Sequence, residues 1–306
     1  MVKGIAKGGD VHIILSRKGF DSASGGGPSP ILPDGTLLSL PIPETVGSHV
    51  TVDYDKIQAP NGMSYGEIMR QLSIPVPSTQ AHLDPDLDPA SRPRKEGWRP
   101  ILGQAGSAQG HLEQQGVTVG DLFLFFGLFR KTEWVDGKLR WVPGSRPEHV
   151  IWGYLEIGEM HRISSPDQVR YLRPYALHPH IEDWQRPKNT LYIASQHRRL
   201  NAHEPGAGRF KYDPRLVLTA PGKSASVWHL PKEFADIAEN GGLSFHTDPR
   251  RWSKLRDGSL ELQSVGRGQE FVMKATPKLL KWAGDRIRIG LGERERRGHD
   301  VDGLVA

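Results

Sequence analysis

Short, continuous apolar runs separated by glycine, proline and aspartate dominate the chain, and few stretches repeat at helical spacing. Val11-His12-Ile13-Ile14-Leu15-Ser16 has the pattern of a buried strand, delivering Arg17, Lys18 and Asp21 into a serine- and glycine-rich loop over 22–27. Residues 122–129, 150–157, 190–194 and 216–219 are predicted strands of the same kind. Asp34-Gly35 and Asp136-Gly137 carry the dipeptide signal of tight hairpins. Helical spacing is confined to 65–72, 231–238 and 277–289. Residues 73–99 are too polar and too proline-broken for regular structure, so they form either an ordered functional loop or a disordered insertion. Strands without a steady alternation with helices predict the α+β class. The expected architecture is a single large domain over 1–290, built around a mixed or antiparallel sheet with long ordered loops and few helices. A basic tail over 291–306, with Arg294, Arg296 and Arg297, completes it.

Composition narrows the chemistry. Zero cysteines exclude disulfides, thiolate nucleophiles, iron–sulfur clusters and cysteine-type zinc sites, so any metal must be held by His, Asp, Glu and water. A chain of 306 residues can bury a sizeable core, while its 35 Gly and 24 Pro favour loops over helix interiors. No apolar run is long enough to span a bilayer, and the start lacks the apolar core of a secretion signal, so a cytoplasmic protein with no membrane partner is expected. The net charge of +5 is compatible with a polyanionic partner without requiring one.

Two polar segments concentrate the candidate chemistry. Ala81 to Pro89 contains His82-Leu83-Asp84, and on extended backbone residues two apart share a face. Imidazole nitrogen with carboxylate oxygen suits iron, manganese or zinc, although aspartate–proline runs are also ordinary turn material. Gly103 to His111 reads as a glycine-rich loop whose amides can cradle phosphate while Gln104, Ser107 and Gln109 read a base edge. The alternative is that its glycines permit a tight path beside a neighbouring segment. His178-Pro179-His180 places two more imidazoles at the same spacing, and Asp21 is either a ligand or base, or the cap of its own loop. Nucleophile-elbow, dinucleotide-binding and Walker motifs are all missing.

Taken together, the phrases Leu15 to Asp21, Pro28 to Ile31, His82 to Asp86, Gly103 to Gly116, Gly120 to Gly127, His178 to His180, Asn189 to Ala194 and Gly268 to Val272 resemble the nucleotide modification associated domain 3 family. They run in order from about residue 11 to 285, nearly the whole chain. The resemblance implies association with bacterial and phage systems that modify bases in DNA, a catalytic or metal-dependent role with no settled reaction, and iron binding. The ligand candidates come from the chemistry of the matched phrases: Asp21, His82, Asp84, His111, His178 and His180. The first four double as catalytic candidates.

The expected function is a metal-dependent enzyme, with non-haem iron the expected metal and manganese or zinc the alternatives, acting hydrolytically or oxidatively on a nucleotide or a base in DNA. Arg17, Lys18, Gln104, Ser107 and Gln109 would position phosphate and base, with Trp98 or Phe20 as a stacking surface for a flipped base. The alternatives are a non-catalytic reader of modified DNA or nucleotide, and a metal-free hydrolase using Asp21 or Asp84 as base.

Overall fold

The computed structural model describes residues 11–44, 52–75, 79–240, 243–266 and 268–292. Arg294, Arg296 and Arg297 of the predicted tail lie outside them. The centre is a nine-stranded mixed sheet. Its main path runs Glu270–Lys274, His12–Arg17, Leu122–Val135, Glu148–Arg162, Thr190–Ala194 and Ile101–Gln104. His12–Arg17 pairs in parallel with Leu122–Val135, and the other neighbours on this path are antiparallel.

The apolar runs explain this order. Ile13, Ile14, Leu15, Phe123, Leu124 and Phe125 are fully buried, as continuous apolar strands covered on both faces must be. Each such side chain removed from water contributes about 1.5–3 kcal/mol before the cost of ordering the chain is counted. Leu122–Val135 and Glu148–Arg162 extend well past their apolar cores, because their ends are held by smaller strands rather than by burial. Lys138–Trp141 folds back at Asp136-Gly137, both in the left-handed region, as the hairpin signal requires. Helices are few. Tyr65–Gln71 is capped by Ser64 and Pro277–Gly290 by Thr276, each accepting a first-turn amide.

Two local expectations are corrected. Leu216 to Thr219 is not a strand: Asp213 caps a 3-10 turn over Pro214–Leu216, and the following residues make only isolated bridges from Val217 to Val150 and from Thr219 to Trp228. Gly103 to His111 is not a loop. Its first residues end the strand Ile101–Gln104, and Gly106–Gln114 is a helix. Gln109 and Leu112 bury the helix against the sheet, and the Tyr192 hydroxyl donates to Gln109 Oε1 at 2.8 Å, so tertiary packing overrides the low propensity of its glycines. Residues 79–100 are an ordered segment with little regular structure, the first of the two expected outcomes for that region.

Candidate metal centre

The site lies at the sheet edge formed by Ile101–Gln104. One flank of this strand pairs with Thr190–Ala194, and its other flank receives Asp86 through reciprocal backbone bonds with Ile101 of 2.9 and 3.0 Å. That pairing holds Asp84 so that Gly103 N–H donates to its Oδ1 at 2.7 Å. On the far side of the same segment, His82 N–H bonds to Ile42 and Glu44 N–H to Gln80, which brings Glu44 beside His82 across 38 positions of sequence. The turn before Thr190 carries the helix Pro179–Glu182, and His180 projects from it toward Asp84.

His82, Asp84 and His180 converge, each offering one ligand atom within 4.8 Å of the other two. His180 Nε2 is 3.8 Å from Asp84 Oδ2. Ligands around one zinc-sized ion stand roughly 3.0–3.5 Å apart, given bond lengths near 2.1 Å, so small side-chain rotations close the set. His180 and His82 are buried and Asp84 is nearly so.

Hydrogen bonding prepares the donor atoms. Asn189 Nδ2 donates to the carbonyls of His180 and Asp183 at 2.6 and 3.3 Å, which fixes the amide and turns Oδ1 toward His180 Nδ1 at 2.7 Å. Nδ1 of His180 therefore carries the proton, and Nε2 presents a lone pair toward Asp84. Burial pushes this imidazole down to about 3 despite the attraction of Asp84, so the ring is neutral at physiological pH, the form that binds metals. His82 Nδ1–H donates to Glu44 Oε2 at 2.6 Å, leaving Nε2 as that ring's ligand atom. His178 differs. Its Nδ1 accepts the His180 amide at 3.3 Å, so its proton sits on Nε2, which has no well-aligned partner and lies 3.3 Å from Asp84 Oδ1. Burial alone would raise the Asp84 carboxyl, but His178, His180 and Lys18 together outweigh it and hold the group well below the usual carboxylate range.

Gly103 is required by contact rather than by backbone conformation. A Cβ there would stand 2.3 Å from His180 Cδ2 and 2.4 Å from Cγ.

The triad faces a cavity of about 180 Å³, whose other lining residues include Arg17, Lys18, Asp21, Gln104, Ala105, Arg186 and Gln269. Lys18 Nζ donates to the buried Glu270 at 3.1 Å, and Gln104 Nε2 donates to the same Oε1. Asp21 Oδ1 accepts the amides of Ala23 and Ser24, so this residue caps its own loop while still reaching the cavity.

Of the six expected ligands, three converge, His178 stands behind Asp84, and Asp21 lies elsewhere on the cavity lining. His111 is a correction. It lies on the helix Gly106–Gln114, stacks on Phe245 at 4.3 Å and bonds Ser244 Oγ at 2.9 Å, lining a separate cavity of about 550 Å³. Gln109 is likewise committed to Tyr192, and Ser107 is exposed and does not line the triad's cavity. Asp86 is held by Arg92 and Arg94 and Asp88 by Arg209, so the aspartate run is largely structural beyond Asp84. Phe20 is buried against Tyr54 and Trp98 lies under Arg94, which removes both as free stacking surfaces. Glu44 and Asn189 were not among the expected site residues. Asn189 stands inside a phrase already singled out, whereas no local signal marks Glu44.

The fold is α+β around a mixed sheet, and a histidine–aspartate–histidine cluster faces one polar cavity. The chain belongs to the nucleotide modification associated domain 3 family, which it matches over residues 12–274. No curated protein and no solved structure matches it significantly. Membership associates the chain with nucleotide modification. No helix among the described residues is long and apolar enough to cross a membrane.

Proposed function

We propose that the protein is a metal-dependent enzyme, with iron(II) held by His82, Asp84 and His180, acting on a nucleotide or on a base in DNA. The observation that carries this reading is the donor set. Two imidazoles have their Nδ1 atoms engaged by Glu44 and Asn189, and the ionised carboxylate between them has Oδ1 engaged by Gly103. Structural ion pairs do not need histidines oriented in this way, whereas a site of two histidines and one carboxylate does. Manganese or zinc fits the same donors.

A divalent ion there would supply Lewis acidity and open positions for water or dioxygen, compatible with hydrolysis or oxidation. The chain's own residues define the rest. Asp84, held well below the usual carboxylate range, is a poor proton acceptor at neutral pH, which disfavours a metal-free hydrolase with Asp84 as its base. The cavity exposes Lys18, Gln104 and Gln269 to a substrate while Glu270 keeps Lys18 in place. Untagged protein loaded anaerobically with iron(II) should convert a nucleotide or a base in DNA, detected by mass spectrometry, and a chelator should stop it. Binding of modified DNA without turnover, unchanged by chelator, would replace this reading with that of a reader.

A further inference from the structure

We propose that the cavity wall opposite the triad is an anion subsite that holds a phosphate of the substrate while the reacting atom lies at His82, Asp84 and His180. The proposal rests on the metal-centre reading for the second half of that statement, but the anion subsite stands on its own observations.

The lining carries three cationic side chains. Arg17, Lys18 and Arg186 all line the cavity, against the carboxylates of Asp21 and Asp84, and Asp84 belongs to the triad. Arg17 Nη2 is spent on the carbonyls of Gly266 and Gly268 at 2.7 and 3.0 Å, which anchors the side chain. Its Nε is buried without a hydrogen-bond partner, 3.9 Å from Asp21 Oδ2 and too far to donate to it. Lys18 carries three donors and gives one to Glu270. Arg186 uses Nε on Asp183. Glu270 and Asp183 thus hold two of the cations in place from behind. Anchored guanidinium and ammonium groups with spare N–H bonds are what a phosphate oxygen needs, since it accepts several charge-assisted bonds at once.

On the acceptor side, Asp21 Oδ1 takes the amides of Ala23 and Ser24, and Asp84 Oδ1 takes that of Gly103. An anionic oxygen would take charge-assisted bonds from Arg17 and Arg186, roughly twice as strong as those a neutral acceptor makes. The cavity of about 180 Å³ brings this wall and the triad to one space, so a phosphate and the reacting part of the same substrate, whether free or displayed by a strand, can be held together. The shared chemistry is a phosphate monoester or diester, and the experiment separates the two sources.

The test is calorimetric titration of chelator-treated protein, so that loss of the metal centre cannot imitate loss of the anion subsite. The probes are a set of deoxynucleoside 5′-monophosphates, the matching nucleosides, and a short single-stranded oligonucleotide. The expected result is that a monophosphate or the oligonucleotide binds at least tenfold more tightly than the nucleoside. Preference for the monophosphate identifies free nucleotide as the source, and preference for the oligonucleotide identifies DNA. Arg186→Gln, at a half-buried position, should weaken the anionic probe about tenfold and leave the thermal midpoint unchanged. Lys18→Arg, which keeps the charge beside Glu270, should weaken it less. Equal binding of nucleoside and phosphorylated probes, no binding of any probe, or binding that Arg186→Gln leaves unchanged would overturn the proposal.

Discussion

Replacing Gly103 by alanine perturbs the proposed centre without touching a ligand. The added methyl would stand 2.3 Å from His180 Cδ2, where ordinary contact begins near 3.4 Å, so the ring must retreat by about 1 Å. That displacement breaks the 2.7 Å bond to Asn189 and moves Nε2 away from Asp84. Metal–ligand distances tolerate only about 0.2 Å. The substitution should therefore weaken metal binding by about 100-fold, at the upper end of what losing an outer partner costs, with about 1–3 kcal/mol of overpacking. Gly110→Ala is the matched control. Its Cβ meets the tip of Lys188 at 2.7 Å, a flexible end that can swing away, and alanine is the better helix former, so stability should hold or rise. Anaerobic competition of iron(II) or cobalt(II) against a chromophoric chelator measures affinity, and thermal denaturation confirms folding. A Gly103→Ala protein that binds within threefold of the parent, with the same cobalt spectrum, would refute this reasoning.

Other predictions use the same geometry. Glu44→Gln removes the acceptor that orients His82 and should cost about 10–100-fold in metal affinity, and an unchanged competition curve would contradict it. Asp86→Ala strands the guanidinium groups of Arg92 and Arg94 in a largely buried place and should lower stability by about 3–5 kcal/mol in urea titration, where a loss under about 1 kcal/mol would show that the pairing is dispensable. Burial pushes His149 and His246 down to about 4, and both rings accept hydrogen bonds as neutral groups, from Trp228 Nε1 and from the Val265 amide. The unfolded histidines take up protons near pH 6.5 while the folded ones do not, so their contribution is complete above that pH and is lost as pH falls toward 4. Urea titrations of chelator-treated protein should show a loss of about 1 kcal/mol per histidine between pH 7.5 and 5.5, reduced in His149→Gln. Equal stability at the two pH values would contradict the assignment.

The sheet was legible because its strands are written as continuous apolar runs, and Leu122 to Phe129 needs no partner to declare itself buried. Half of the site was legible for a similar reason. Extended backbone puts His82 and Asp84 on one face, and His178-Pro179-His180 announces a second pair of imidazoles. Which of those two is the ligand depends on Asn189 and on the His180 amide, contacts that appear only after the helix turn has formed. Glu44 comes from 38 positions away through strand pairing, which no local pattern encodes. Gly103 to His111 misled because glycine spacing resembles a phosphate loop, while the helix there is stabilised by Gln109 and Leu112 against the sheet, beyond the reach of propensity. His111 was carried to a different cavity with it.

The central claim is that His82, Asp84 and His180 hold a metal. Elemental analysis of untagged protein, before and after anaerobic reconstitution with iron(II), manganese(II) or zinc(II), tests it most directly, beside a folded His82→Ala/His180→Ala double variant. The account predicts one transition-metal ion per chain in the parent and none retained by the double variant after desalting. A parent that takes up no metal, or a double variant that keeps a stoichiometric ion, would contradict it.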